Sequence, residues 1–316
     1  MRRELKLLWV LLPIIALAFA GCGKGSDEVV GPSGVEEGDV TLAKPPPPAP
    51  PADPAIAFAS GDLLQLKVMN VDGSNNTTIL KDSFNKRNPS WSPDGGTFVF
   101  HRDKPPTDPG SLWLIDVAVV DGKPQGSNAR QLLANCPGCY TPAWSPLGNE
   151  IAFAFENSIR VIPAGGGTPV TIYTDPLNNV HDPTWSPDGT KIAFSSCSDL
   201  CAIKVIDRTS GAVLHTLLEG QFQSILGLDW ARTQDKIAFS ACPIPCSNGM
   251  YIVDITTGNA TLITDGIQPT WSPNDMQIVF TKQIRGTKWT LKKITLSTGT
   301  VTDLTGDGRM PDWRKF

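Results

Sequence analysis

Histidine is nearly missing from this 316-residue chain, with three residues, and tyrosine is equally scarce. Imidazole chemistry, whether catalysis or metal binding, therefore has few places to reside. An excess of positive charge is also missing: 27 Lys and Arg stand against 31 Asp and Glu. Neutralising phosphates requires a basic face, so a nucleic-acid partner is not expected. The chain has no Gly-x-Ser-x-Gly elbow, no His-Glu-x-x-His pair and no Gly-x-x-x-x-Gly-Lys phosphate loop, which removes three common catalytic arrangements. Only one long apolar run exists, Leu7 to Ala20, interrupted by Pro13 and too short for an ordinary spanning helix. What is abundant is glycine (29) and proline (28), with 40% hydrophobic residues. This composition suits a chain of many turns with enough apolar mass for a sizeable core.

The amino-terminal segment has the layout of an export signal. Arg2, Arg3 and Lys6 precede the apolar run, which ends in Phe19-Ala20-Gly21-Cys22. Small residues ahead of a cysteine resemble the bacterial lipobox, with Phe19 in the place of the usual Leu. That resemblance implies a signal peptide over 1–21 and acylation of Cys22. Ordinary signal cleavage with Cys22 incidental, and export through a twin-arginine route, are the alternatives. Gly23 follows where Asp would imply inner-membrane retention, so the expected location is lipid-anchored in the cell envelope, at the outer membrane, on its periplasmic or surface face. Residues 22–54 read as a tether: a polar Gly/Ser/Asp/Glu stretch, then Pro45-Pro46-Pro47-Pro48 and Pro50-Pro51. Such a segment cannot bury a core and is expected to be extended, holding the folded part off the membrane. A Pro-rich docking motif is its alternative reading.

From residue 55 a repeat dominates. Asn88-Pro89-Ser90-Trp91-Ser92-Pro93-Asp94-Gly95 is followed by Phe98-Val99-Phe100, and Asp182-Pro183-Thr184-Trp185-Ser186-Pro187-Asp188-Gly189 by Ile192-Ala193-Phe194. Related copies centre on Trp144, Trp230, Trp271 and Trp313, at spacings of 53, 41, 45, 41 and 42 residues. Ser-Pro-Asp-Gly is a turn sequence: Pro presets φ, Asp tolerates the next position and Gly closes it. The large-small-large strand after it puts both large side chains on one face. A third strand follows in each unit (Ile203-Lys204-Val205, for example), then a Gly-bearing hairpin such as Ser210-Gly211, then a short fourth strand. This is an all-β fold of four-stranded blades. Residues 55–80 supply strands two to four of a blade with no Pro-x-Trp ahead of them, and Pro311-Asp312-Trp313 has nothing behind it. Residues 310–316 are therefore expected to complete that first blade, closing a six-bladed β-propeller over 55–316 and removing its open edges.

These repeats resemble the WD-like propeller repeat of the TolB family, most fully at Trp91 and Trp185. Genuine TolB carries an α/β domain ahead of its propeller where this chain has the Pro-rich tether and lipid anchor, so the partnerships of TolB with TolA and Pal are not carried over. In TolB-like propellers partners dock on the face where the inner strands begin. The resemblance thus implies a channel-mouth surface made of Asn88, Thr141, Asp182, Gly227, Gln268 and Met310, flanked by Arg87 and His181. His101 and His215 read as ordinary strand-end residues, and the repeat tryptophans as core.

Six further cysteines form three local pairs: Cys136 with Cys139, Cys197 with Cys201, and Cys242 with Cys246. In an exported domain these read first as disulfides. A thiolate metal site and a redox Cys-Pro-Gly-Cys are the weaker alternatives, so neither metal nor cofactor is expected. The functional expectation is a monomeric, non-catalytic scaffold that binds an envelope protein or peptide at the channel face. The alternatives are a hydrolase or lyase acting on glycan or peptide in the channel, and a carbohydrate-binding or sensing module.

Overall fold

The computed structural model describes residues 55–60, 62–244, 247–286 and 288–315. The expected signal peptide, Cys22 and the tether lie outside them, as does Cys246.

The repeat folds into six four-stranded antiparallel sheets. Blade 1 is ordered Arg309–Trp313, Ile56–Ala59, Gln65–Met69, Thr77–Lys81 from the inside outward. Blade 2 is Asn85–Trp91, Thr97–Lys104, Asp108–Val120, Lys123–Leu133, and blade 3 is Ala143–Trp144, Glu150–Phe155, Ser158–Pro163, Val170–Thr174. Blade 4 is Asn179–Trp185, Lys191–Cys197, Cys201–Asp207, Val213–Phe222. Blades 5 and 6 begin with Ser224–Trp230 and Ile267–Trp271 and end with Ala260–Thr264 and Thr300–Thr305. The fold is therefore the all-β six-bladed propeller that the repeats imply. Ile56 pairs with Trp313 and Ala57 with Asp312, and the Arg314 N–H donates to the Ala55 carbonyl at 2.7 Å. The last strand thus closes the first blade. The 53-residue Trp spacing has its cause in blade 2, whose outer hairpin is long, with strands of 13 and 11 residues.

The turns form as their residues dictate. The Gly95 and Gly189 N–H groups donate to the Ser92 and Ser186 carbonyls at 2.9 Å, and both glycines have φ of +70°. Asp94 and Asp188 accept from the Ser92 and Ser186 hydroxyls. Alternation along the second strands sends Phe98 and Phe100, or Ile192 and Phe194, into contact with the neighbouring blade. The core is consequently not one mass but six clusters, one at each seam. Trp91, Phe98 and Phe100 pack on Leu66 and Val68 of blade 1, and Trp185, Ile192 and Phe194 on Ile159 and Val161 of blade 3. Five of the repeat tryptophans are 6% exposed or less; Trp144 is only half-buried.

Blade 3 departs from the pattern. Its inner strand is two residues long, and the segment ahead of it folds over blade 2. Cys136 to Cys139 makes a tight turn with Pro137 and Gly138 (φ +84°) at its centre, the Cys139 N–H donating to the Cys136 carbonyl at 3.2 Å. The disulfide expected here is not formed. Both cysteines are buried free thiols, and the Cys139 Sγ–H is engaged by the Cys136 carbonyl at 2.8 Å. The Cys136 thiol and burial together hold Cys139 protonated, far above the usual thiol range. His101 is equally displaced from its expected role at a strand end. It is wholly buried against Tyr140, 4.7 Å between ring centres, and burial lowers its pKa to about 4, so it is neutral at pH 7. Cys197 and Cys201 do form a disulfide, across a hairpin where they are direct strand partners. Cys242 is also disulfide-bonded.

Candidate functional site: the channel and its mouth

The inner segments of all six blades share one backbone feature, three residues ahead of the Trp. Asn88, Thr141, Asp182, Gln268 and Met310 have φ of +47°, +57°, +52°, +55° and +55°, and Gly227 has +63°. Left-handed backbone is uncommon for non-glycine residues and costs about 1–2 kcal/mol at each. The conformation places a bulge before the proline: register slips between Arg87 and Ser90, His181 and Thr184, Leu226 and Asp229, and Ile267 and Thr270. The bulge turns each of these residues toward the axis.

Hydrogen bonds between blades hold the ring. The Asp182 N–H donates to Thr141 Oγ1 (3.2 Å), the Gly227 N–H to Asp182 Oδ2 (2.8 Å), the Gln268 N–H to Ser240 Oγ (3.4 Å) and the Met310 N–H to Gln268 Oε1 (3.2 Å). Asp182 is buried, and burial raises its pKa against the opposing pull of the Gly227 N–H, His181 and Thr141. A second ring lies one step deeper, at the tryptophan level. The Trp N–H of each blade faces the residue before the Trp in the preceding blade. Trp144 donates to Ser90 (3.0 Å), Trp230 to Thr184 (3.1 Å), Trp271 to Asp229 (2.7 Å), Trp313 to Thr270 (3.0 Å) and Trp91 to Asp312 (2.7 Å). Blade 3 has Ala143 at this position, with no side-chain acceptor; the Trp185 indole N–H donates to the Ala143 carbonyl at 3.0 Å, as the Trp271 indole does to the Asp229 carbonyl.

The two rings enclose a cavity of about 340 Å³ along the axis. All six predicted mouth residues line it, whereas Arg87 and His181 do not. Arg87 Nε lies 3.7 Å from Asp103 of its own blade, and His181 is solvent-exposed beside Ser195. Leu226 and Ile267 also line the mouth. Deeper in, the cavity reaches Asp229, Asp312 and Lys315, which repeat reasoning passed over. Lys315 Nζ forms an ion pair with Asp229 Oδ1. Burial, reinforced by Asp229 and opposed by Lys315, pushes the Asp312 carboxyl up to about 7. A signal for them was present. Asp229 and Asp312 occupy the position before the repeat Trp that carries Ser90, Ala143, Thr184 or Thr270 in the other blades.

Such a ring of six WD-like blades around a lined axial channel defines a β-propeller. Residues 123–316, more than half of the chain, match the family described as PD40, TolB beta propeller domain, and the chain belongs to that family. Over 80 residues it is 34% identical to the Tol-Pal system protein TolB of Rhizorhabdus wittichii, a stretch covering 25% of this chain and 16% of that protein. The solved TolB from Acinetobacter baumannii superposes with a TM-score of 0.65 at 19% identity, over 82% of this chain and 66% of that one. The putative TolB from Agrobacterium tumefaciens gives 0.59 at 18% identity, over 81% and 90%. At these identities the two structures bear on the fold. The chain spans less than two thirds of the length of the first two of these proteins.

Proposed function

We propose that this protein is a non-catalytic propeller scaffold, held in the cell envelope by a lipid on Cys22, that binds a protein or peptide partner at its channel mouth. The observation that carries this reading is the mouth itself. Five non-glycine residues are kept in left-handed backbone around one opening, and residues held in sparsely populated conformations cluster where a surface is pre-organised for binding. The mixed lining supports a peptide-like ligand. Leu226 (49% exposed) and Ile267 offer apolar contact, and Asn88, Thr141 and Gln268 offer amides and a hydroxyl. Kinship with a Tol-Pal system protein agrees with an envelope setting. A second reading, a hydrolase or lyase acting in the channel, is favoured by Asp312, since a carboxyl near pH 7 suits general acid catalysis.

Site-directed photo-cross-linking in intact cells tests the proposal. A photoreactive residue at Leu226 or Gln268 is expected to trap a discrete partner, and one at Val301, on the outer strand of blade 6, is not. Equal trapping at both places, or none at the mouth, would overturn it. Turnover of a glycan or peptide panel that is lost in Asp312→Asn would favour the enzyme reading.

A further inference from the structure

The six-fold repetition contains its own controls. The position before each inner-strand Trp accepts the next blade's Trp N–H, and a neutral hydroxyl meets that need at three seams: Ser90, Thr184 and Thr270, at 3.0, 3.1 and 3.0 Å. At a fourth, Ala143 supplies no side-chain acceptor, and the adjoining Trp185 is still only 6% exposed. The fold therefore does not call for a carboxylate at this level. A charge in a narrow channel also carries a desolvation penalty that a hydroxyl avoids. Positions 229 and 312 nevertheless hold aspartates. Each uses Oδ2 for the seam, accepting from the Trp271 and Trp91 N–H groups at 2.7 Å. That leaves each Oδ1 for something else.

Asp229 Oδ1 is taken by Lys315. Lys315 follows the inner strand of blade 1, whereas Asp229 belongs to blade 5. The side chain passes blade 6, which carries the neutral Thr270 at this level, and lies in the cavity that continues up to the mouth. Among the described residues Asp312 gains no such partner; the nearby ammonium lowers its pKa without overcoming burial. Lys315, together with Arg232, which also lines the cavity and interacts electrostatically with Asp229, faces two carboxylates whose charges the seams do not need.

The geometry points to the deep end of the channel as a subsite for the side-chain ammonium of a lysine on the bound partner, with the chain's own Lys315 as a tethered occupant that the partner displaces. This rests on the reading of the mouth as a protein or peptide docking site and adds the chemistry that the docked segment must bring. Exchange of one ammonium for another on Asp229 leaves the buried charge unchanged. The subsite accordingly selects the sign of charge, and affinity comes from contacts nearer the mouth.

The test uses the full chain and a small probe, N-acetyl-lysine methylamide, with N-acetyl-glutamate methylamide as the control of opposite charge. Binding is read by calorimetry and by fluorescence of the channel tryptophans. Lys315→Ala is expected to bind the lysine probe about tenfold or more tighter than the parent chain, a competing ion pair having been removed. Asp229→Ser or Asp312→Ser added to Lys315→Ala abolishes the gain; both keep a seam hydroxyl, as Ser90 does, and circular dichroism checks their fold. Lys315→Met, which retains the aliphatic stem, gives the same readout if the alanine variant fails to fold. Equal affinity of parent and Lys315 variants, binding that survives Asp229→Ser, or equal binding of the glutamate probe would overturn the subsite. Such a failure leaves mouth cross-linking untouched, and loss of cross-links with lysine-probe binding intact would remove the docking reading alone.

Discussion

Asp312 shows how position sets the behaviour of a single side chain. Its carboxyl is raised from an ordinary 3.8 to about 7, chiefly by burial. Between those values the folded protein holds a proton that the unfolded chain has released, so stability falls as pH rises from about 4 to about 7 and is level above that. Asp312→Asn still offers an oxygen to the Trp91 N–H but cannot ionise. Its melting temperature is expected to exceed the parent's by several degrees at pH 8, and the difference to vanish toward pH 4, as scanning calorimetry would record. Lys86 is the opposite case, a buried charge that is fully engaged. Its ammonium donates to Asp82 Oδ1 at 2.6 Å and to the Leu64 and Phe84 carbonyls at 2.9 and 2.8 Å. Removing its counter-charge with Asp82→Ala should cost about 3 kcal/mol in urea unfolding, because an uncompensated buried ammonium remains.

Within the inner strand, the left-handed residue and its bulge decide what can be substituted. Gly227 has φ +63°, and a Cβ there would lie 2.9 Å from Gln268 Cα. Gly227→Ala should therefore destabilise by about 1–2 kcal/mol. Met310 occupies the same conformation at φ +55°, so Met310→Gly is expected to carry the reverse sign, stabilising by up to about 1 kcal/mol. Denaturant midpoints of the pair would settle both, and equal signs would refute the assignment of strain. Much of this level was readable in sequence. Pro after each of Asn88, Thr141, Asp182, Gln268 and Met310 marks the left-handed position of the inner segment. The Ser-Pro-Asp-Gly turns and the large-small-large strands are local chemistry. The expected Cys136–Cys139 bridge is absent because spacing reports proximity and not engagement: the turn brings the cysteines close, and both remain buried thiols, Cys139 Sγ against the Cys136 carbonyl.

For the whole molecule, ring closure is the decisive contact. Arg309–Trp313 is the inner strand of blade 1, and Trp313 also packs with Phe58, Val279 and Leu291 at the seam with blade 6. Deleting residues 310–316 should remove that seam and leave the edge of Ile56–Ala59 unpaired, giving a chain that loses cooperative unfolding and aggregates on heating; calorimetry and light scattering would detect both. The amino-acid order by itself determined the number of blades, the sharing of one blade by the two ends of the repeat array, and the six residues at the mouth. The first two follow from turn chemistry, strand alternation and spacing, and the mouth positions from the resemblance of the repeats to TolB-like propellers. Only the tertiary structure decided that Arg87 and His181 do not line the channel cavity, that Asp229, Asp312 and Lys315 meet inside it, and that His101 is buried and neutral. Residues 229 and 315 are 86 positions apart in sequence. Their charge, burial and pKa depend on distances across the ring, which no local pattern contains.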